Sequence, residues 1–199
     1  MILTVCSYKG GVGKTTSAIH LACYLQERDG DCLLIDGDPN RSCLAWSKRG
    51  SLPFSVVDEK SAVKHVAKHK NIVIDTAARP DRDELAALIE GCDLMLLPST
   101  PDAMALEALR LTVQSLKRLS AESYRVLLTI VPPRPSRDGI EARDYLAASG
   151  VPVLNNYVRR WVAFQRASLM GVPVYESRDR NGGIAWADYK AVGEELFNA

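Results

Sequence analysis

Lys9-Gly10-Gly11-Val12-Gly13-Lys14-Thr15-Thr16 is the stretch whose reading decides the fold. Before it, Ile2 to Cys6 reads as a short buried strand. After it, from Thr15 to about Glu27, Ala18, Leu21, Ala22 and Leu25 recur at helical spacing on one face. A strand that passes through a glycine-rich loop into the first turn of a helix forms a phosphate cradle. Without side chains in the way, backbone N–H groups approach the anion, and the helix dipole favours its charge. In such a cradle Lys14 serves the β- and γ-phosphates of a nucleotide and the Thr15 hydroxyl serves Mg²⁺.

Outward from the loop, short apolar runs alternate with longer helical patterns, as in repeated βα units around a parallel sheet. Strands are predicted at Cys32–Ile35, Phe54–Val57 (an edge), Asn71–Asp75, Leu94–Leu97 (ended by Pro98), Arg125–Val131 and, last, Val151–Leu154. Helices are predicted over Ala62–Lys68, Arg82–Glu90, Ala103–Leu119, a stretch capped by Asp138 and running to Ala148, Trp161–Met170 and Ile184–Phe197. No repeat, low-complexity tract or linker interrupts the pattern. The expectation is one α/β domain over residues 1–199, a P-loop nucleotide-binding fold with a mostly parallel central sheet and helices on both faces.

The bulk composition agrees. The chain has 199 residues, 47% hydrophobic and 25% charged, with 25 Lys+Arg against 24 Asp+Glu for a net charge of +1. That balance excludes a disordered chain and excludes nucleic-acid binding through bulk charge, so any DNA contact needs a local patch. No apolar run approaches the roughly 18 residues that cross a bilayer, and the N-terminus has no basic leader. Five cysteines (Cys6, Cys23, Cys32, Cys43, Cys92) are scattered and never form a C-x-x-C pair. Cys6, Cys23 and Cys32, in apolar stretches, read as buried free thiols of a reducing cytoplasm.

The ordinary P-loop pattern wants a glycine where this chain has Tyr8, so the strict motif fails, while Lys-Gly-Gly-x-Gly-Lys-Thr-Thr fits a deviant version. The chain resembles the ParA/MinD family of deviant Walker-A ATPases. Lys9 matches that family's signature lysine, which in an ATP-sandwich dimer reaches across to the partner's phosphates. Leu33-Leu34-Ile35-Asp36-Gly37-Asp38-Pro39-Asn40 resembles the switch I element, with Asn40 in place of glutamine. Ile72-Val73-Ile74-Asp75-Thr76-Ala77-Ala78 reads as Walker B, an apolar strand that delivers one carboxylate.

The resemblance spans nearly the whole chain and implies a set of roles. ATP is held by Lys9, Gly10, Gly11, Val12, Gly13, Lys14, Thr15 and Thr16. Mg²⁺ is met directly by Thr15 and through water by Asp36 and Asp75. Asp38 positions the attacking water, and Lys9 and Lys14 stabilise charge on the phosphates. ATP then drives homodimerisation, the dimer binds DNA without sequence preference, and a ParB-like or other adaptor stimulates slow hydrolysis. The expected setting is cytoplasmic and nucleoid-associated. Arg159, Arg160 and Arg166, in a segment with no acid between them, resemble the region that offers arginines to DNA phosphates, with Arg134 and Arg137 as extensions.

The expected cargo is by default a plasmid or chromosome, with a protein organelle such as a carboxysome as the alternative that uses the same motor. A loop starting at the ninth residue leaves no room for the helix-turn-helix domain of the large partition ATPases. The acidic balance of Ala187–Ala199 speaks against a MinD-like membrane helix. An ATP-dependent metabolic ligase or kinase on the same scaffold generally lacks the signature lysine, and a nitrogenase-type cluster protein needs two cysteines where only Cys92 stands. Without an Asn-Lys-x-Asp motif after the Arg125–Val131 strand, ATP is expected over GTP. His65 and His69 read as a solvated basic face rather than a zinc pair. Trp46, Trp161 and Trp186 read as packing residues.

Overall fold

The computed structural model describes residues 1–198. Six strands form one sheet: β1 (Ile2–Ser7), β2 (Leu33–Asp36), β3 (Ser55–Asp58), β4 (Ile72–Ala78), β5 (Leu94–Ser99) and β6 (Tyr124–Leu128), in the order β3-β2-β4-β1-β5-β6, every pairing parallel. Alternation along the strands sends side chains to two faces. Leu3, Val5, Leu34, Val73, Leu96 and Leu127 pack under α1 (Lys14–Asp29), α2 (Ser42–Arg49), α7 (Val162–Met170) and α8 (Gly182–Phe197). Met95, Leu97, Val126 and Leu128 pack on the other face, beneath α4 (Arg82–Glu90), α5 (Ala103–Arg118) and α6 (Asp138–Ala148). Burial on both faces is why these strands read as unbroken apolar runs.

Helix α1 is wrapped more completely than its predicted stripe. Every residue from Ser17 to Leu25 is buried, because α8 covers the side turned away from the sheet. The two helices touch closely: a Cβ on Gly193 would lie 2.5 Å from the Tyr24 ring. A second tight crossing joins the C-terminal ends of α2 and α7. There a Cβ on Gly50 would meet the Met170 carbonyl at 2.3 Å, and one on Gly171 would meet the Gly50 nitrogen at 2.3 Å. Trp46 Nε1 donates to the Val172 carbonyl (3.1 Å) and Arg49 Nε to the Ser168 carbonyl (2.7 Å), so the crossing is also tied by hydrogen bonds.

Several expected boundaries shift for identifiable reasons. The helix expected at Ala62–Lys68 is instead α3 (Glu59–Ala62) and a 3-10 turn (Val66–Lys68). Asp58 caps α3 by accepting from the Ser61 amide (2.7 Å), which starts the helix earlier, and Val63 faces solvent at 79% exposure, so only Ala62 and Val66 are left to carry it on. β5 runs through Pro98 rather than ending there. The Met95 amide points to Ser123 on the β6 side, so two-residue alternation turns the Pro98 nitrogen toward β1, whose pairing with β5 stops at Leu96. Val151–Leu154 makes an isolated bridge, Val126 with Val153, instead of a strand. Asp138 is the first residue of α6 rather than its cap.

Candidate nucleotide site

Strand register assembles the acidic half of the site. Asp36 at the end of β2 lies directly beside Asp75 on β4, and Val5 of β1 pairs with Asp75 on its other side. The loop after β1 therefore opens next to two carboxylates at the C-terminal edge of the sheet, where ligands bind in open α/β folds. Gly11 (φ 78°) and Gly13 (φ 80°) hold left-handed backbone that an L side chain resists, and a Cβ on Gly10 or Gly11 would meet nothing within 4 Å. Gly13 caps α1 without a side-chain bond, and no acid occupies the first turn. The amides of that turn are left for an anion. Lys14 is buried at 8% exposure and forms no ion pair among the described residues.

Thr15 Oγ1 donates to Asp75 Oδ2 (2.7 Å), and the thiol of Cys43, in the first turn of α2, donates to the same oxygen (3.2 Å). Asp75 Oδ1 is buried with no hydrogen-bond partner among the described residues. Burial raises the Asp75 carboxyl to about 6, against the opposing hydrogen bonds from Thr15 and Cys43. A buried oxygen without a donor, beside a threonine hydroxyl and a second carboxylate, fits a hydrated Mg²⁺. Asp36 accepts from the amides of Asp38 (3.2 Å) and Leu44 (2.9 Å), which fixes its orientation. Asp38 is nearly buried and accepts from the Asn40 amide (2.8 Å) through Oδ1.

Lys9 does not stand free. Its ammonium pairs with Asp102 Oδ1 (2.9 Å) at the N-terminus of α5, with the two side chains 33% and 52% exposed. Hydrogen bonds from the Thr100 hydroxyl and Lys9 hold the Asp102 carboxyl down to about 2 despite some desolvation. Thr129, just past β6, donates to the Val12 carbonyl (2.8 Å) and clamps the loop to the sheet. Beside Gly13 and Thr16 opens a cavity of about 530 Å³, bordered by Thr129, Ile130, Val158 and Arg160, with room for a nucleoside.

The three arginines expected to face DNA are used unevenly. Arg159 is locked on Asp188 by its guanidinium and its amide, and stacks on Trp161 with 4.8 Å to the ring centre. Arg166 pairs with Asp179 (2.8 Å). Arg160 is exposed and has no ion pair among the described residues. The apparent absence of acid holds only for the local segment, since Asp188 and Asp179 arrive from later in the chain. His69 pairs with Asp31 (2.6 Å), and between it and His65 lies a 3-10 turn in place of the helix expected over Ala62–Lys68. The tryptophans pack as expected: Trp46 and Trp186 lie against His20, whose ring stacks on Tyr189 with 5.0 Å between centres.

Sequence reasoning missed His20, Thr129, Cys43 and Asp102. Of these, only Asp102 carried a local signal, an aspartate just before a helix. His20 is wholly buried. Its Nδ1 meets the Thr16 carbonyl (2.7 Å) and its Nε2 accepts from the Val174 amide (3.1 Å), which fixes the neutral tautomer. Burial lowers its pKa to about 4. In the unfolded chain His20 protonates near its ordinary value, so its contribution is complete above about 6.5 and is lost as pH falls toward 4. We predict that His20→Gln flattens the pH dependence of chemical unfolding over that window, by up to about 3 kcal/mol. An unchanged slope would assign the acid sensitivity to other groups.

The geometry defines a P-loop nucleotide-binding protein. Residues 3–174 match the model of the CobQ/CobB/MinD/ParA nucleotide binding domain, and the chain belongs to that family of ParA/MinD-type P-loop ATPases. It is 36% identical over 202 residues to the maintenance of carboxysome distribution protein A of Gloeobacter kilaueensis, covering 98% of this chain and 93% of that one. Solved structures share the fold, two of them as follows. One is described as a plasmid partition protein of Borrelia burgdorferi B31 bound to AMPPNP (TM-score 0.76, 20% identity, covering 99% and 98% of the two chains). The other is the septum site-determining protein MinD of Pyrococcus horikoshii with Mg-ADP (TM-score 0.70, 18% identity, covering 98% and 96%).

Proposed function

We propose that this chain is a Mg²⁺-dependent ATPase whose ATP-bound state is a sandwich dimer that holds DNA without sequence preference and positions a cargo, with an adaptor protein stimulating hydrolysis. The observation that carries the reading is the open N-terminus of α1 set against Thr15, Asp36 and the unpartnered Asp75 Oδ1. The amides of residues 10–16 and Lys14 bind the phosphates, Thr15 meets the metal, and Asp36 and Asp75 hold its water shell. Mg²⁺, when bound, neutralises phosphate charge. Asp38 orients the attacking water. The long relation to the Gloeobacter protein favours a protein organelle over a plasmid as cargo. The expected setting remains the cytoplasm, on the nucleoid; among the described residues no helix is long and apolar enough to cross a membrane.

Dimerisation asks Lys9 to leave Asp102 for a partner's phosphates. An exposed pair of this kind is worth only about 0–1 kcal/mol, so the exchange is cheap. For DNA, Arg160 carries the contact, with Arg134 as its extension, because Arg159 and Arg166 already have their charge balanced. Dimerisation doubles the patch and so raises affinity without base reading.

One experiment tests the chain of steps. Asp38→Ala with Mg-ATP should bind nucleotide, cease turnover, elute as a dimer by light scattering and retard plasmid DNA with steep salt dependence. Adding Lys9→Ala should return it to monomer and release the DNA. Normal turnover in Asp38→Ala removes that residue from catalysis, and a dimer that survives Lys9→Ala removes the trans role.

A further inference from the structure

We propose that Cys43 turns the paired carboxylates at the strand ends into a site for a thiophilic divalent cation of the zinc class, taken up when nucleotide is absent. Among the described residues, Asp36, Cys43 and Asp75 form the sole group of three such ligands whose donor atoms all lie within 4.8 Å of one another, and all three are buried. Zinc holds sulfur at about 2.3 Å and carboxylate oxygen at about 2.0–2.2 Å, which at tetrahedral angles sets the two donors about 3.5 Å apart. Cys43 Sγ and Asp75 Oδ2 are already 3.2 Å apart, within roughly a few tenths of an ångström of that span, and the Asp36 carboxylate completes the set within 4.8 Å of both.

Independent of the thiol, Asp75 Oδ1 is buried and lacks a donor among the described residues. A cation held by both oxygens of the Asp75 carboxylate satisfies it, whereas the thiol proton serves only Oδ2. The amides of Asp38 and Leu44 hold Asp36 in place, as supporting hydrogen bonds do around metal ligands. The step balances simply. The thiol gives its proton to solvent, one sulfur–metal bond forms, and no electrons are exchanged. Thr15 Oγ1, 2.7 Å from Asp75 Oδ2, or a water fills the fourth position. Mg²⁺ demands oxygen ligands in an octahedron, so the sulfur distinguishes the two ions. The carboxylates are those assigned to the nucleotide's metal, so zinc and Mg-ATP exclude each other; that clause rests on the ATPase reading, while binding itself does not.

The test is Co²⁺ titrated without oxygen into the nucleotide-free full chain, followed by the thiolate-to-metal charge-transfer absorption, with Zn²⁺ calorimetry in parallel. The expected result is one ion per chain, a band abolished in Cys43→Ser, and Zn²⁺ affinity lowered in that variant by more than the roughly 10–100-fold that loss of a supporting outer-shell partner costs. Cys43→Ala, which buries no new hydroxyl, replaces the serine variant if circular dichroism shows that it has unfolded. No band, or a band of undiminished intensity in the variants, overturns the assignment. A fluorescent ATP analogue offered with Mg²⁺ to the same samples separates the two readings: a wild type that takes up Co²⁺ but no nucleotide keeps the metal site and loses the ATPase.

Discussion

Lys14→Ala is expected to lower Mg-ATP hydrolysis by about a thousandfold or more, because a fixed cation at the phosphates acts where transition-state charge develops. The same change should leave the nucleotide-free protein folded, and unfolding at the same or a higher temperature. Lys14 is 8% exposed and has no ion pair among the described residues, so its removal takes no salt bridge from the nucleotide-free fold. Steady-state phosphate release and a nucleotide-free thermal melt check the two halves. Residual activity near the parent's would deny Lys14 its role. A lowered melting temperature would mean that the lysine supports the fold rather than the ligand.

The second large effect is structural. Gly171→Ala should destabilise the protein by about 3 kcal/mol or more, lowering its melting temperature by about 6–12 °C. Two causes add. Gly171 sits at φ 72°, and its added Cβ would lie 2.3 Å from the Gly50 nitrogen and 2.6 Å from the Trp46 carbonyl oxygen, all rigid backbone. Gly150→Ala is the control: φ is 68° but nothing lies within 4 Å, so only the conformational cost of about 1–2 kcal/mol remains. Equal effects at the two glycines would show that the α2–α7 crossing yields easily.

The contrast between these residues also explains what was legible in the sequence. Lys14 belongs to a contiguous loop flanked by a strand and a helix, and such a pattern can be read locally. Asp36 and Asp75 could each be placed at a strand end for the same reason, and the sheet register then puts them side by side. Gly171 gave no comparable signal, because its importance comes from Gly50, far away in the chain. The same holds for Thr129, whose hydroxyl meets Val12 across 117 positions, and for Arg159, whose charge is cancelled by Asp188 from another helix. The helix misread at residues 62–68 failed differently: a basic pattern of helical period was there, but its apolar face was only Ala62 and Val66, with Val63 and Ala67 exposed.

The wrapping of α1 by α8 sets an order in time. Ribosomes deliver the phosphate loop and its helix first, whereas residues 182–197 emerge after every other element of the sheet and its layers. Until they do, Tyr24 lacks the cover of Gly193, and His20 and Ser17 lack Tyr189. A nascent chain thus carries the whole glycine motif while one flank of its helix is still bare apolar surface, the condition that recruits chaperones. A ribosome stalled inside α8 should therefore present a loop of correct sequence on a helix that still lacks the cover of Tyr189 and Gly193.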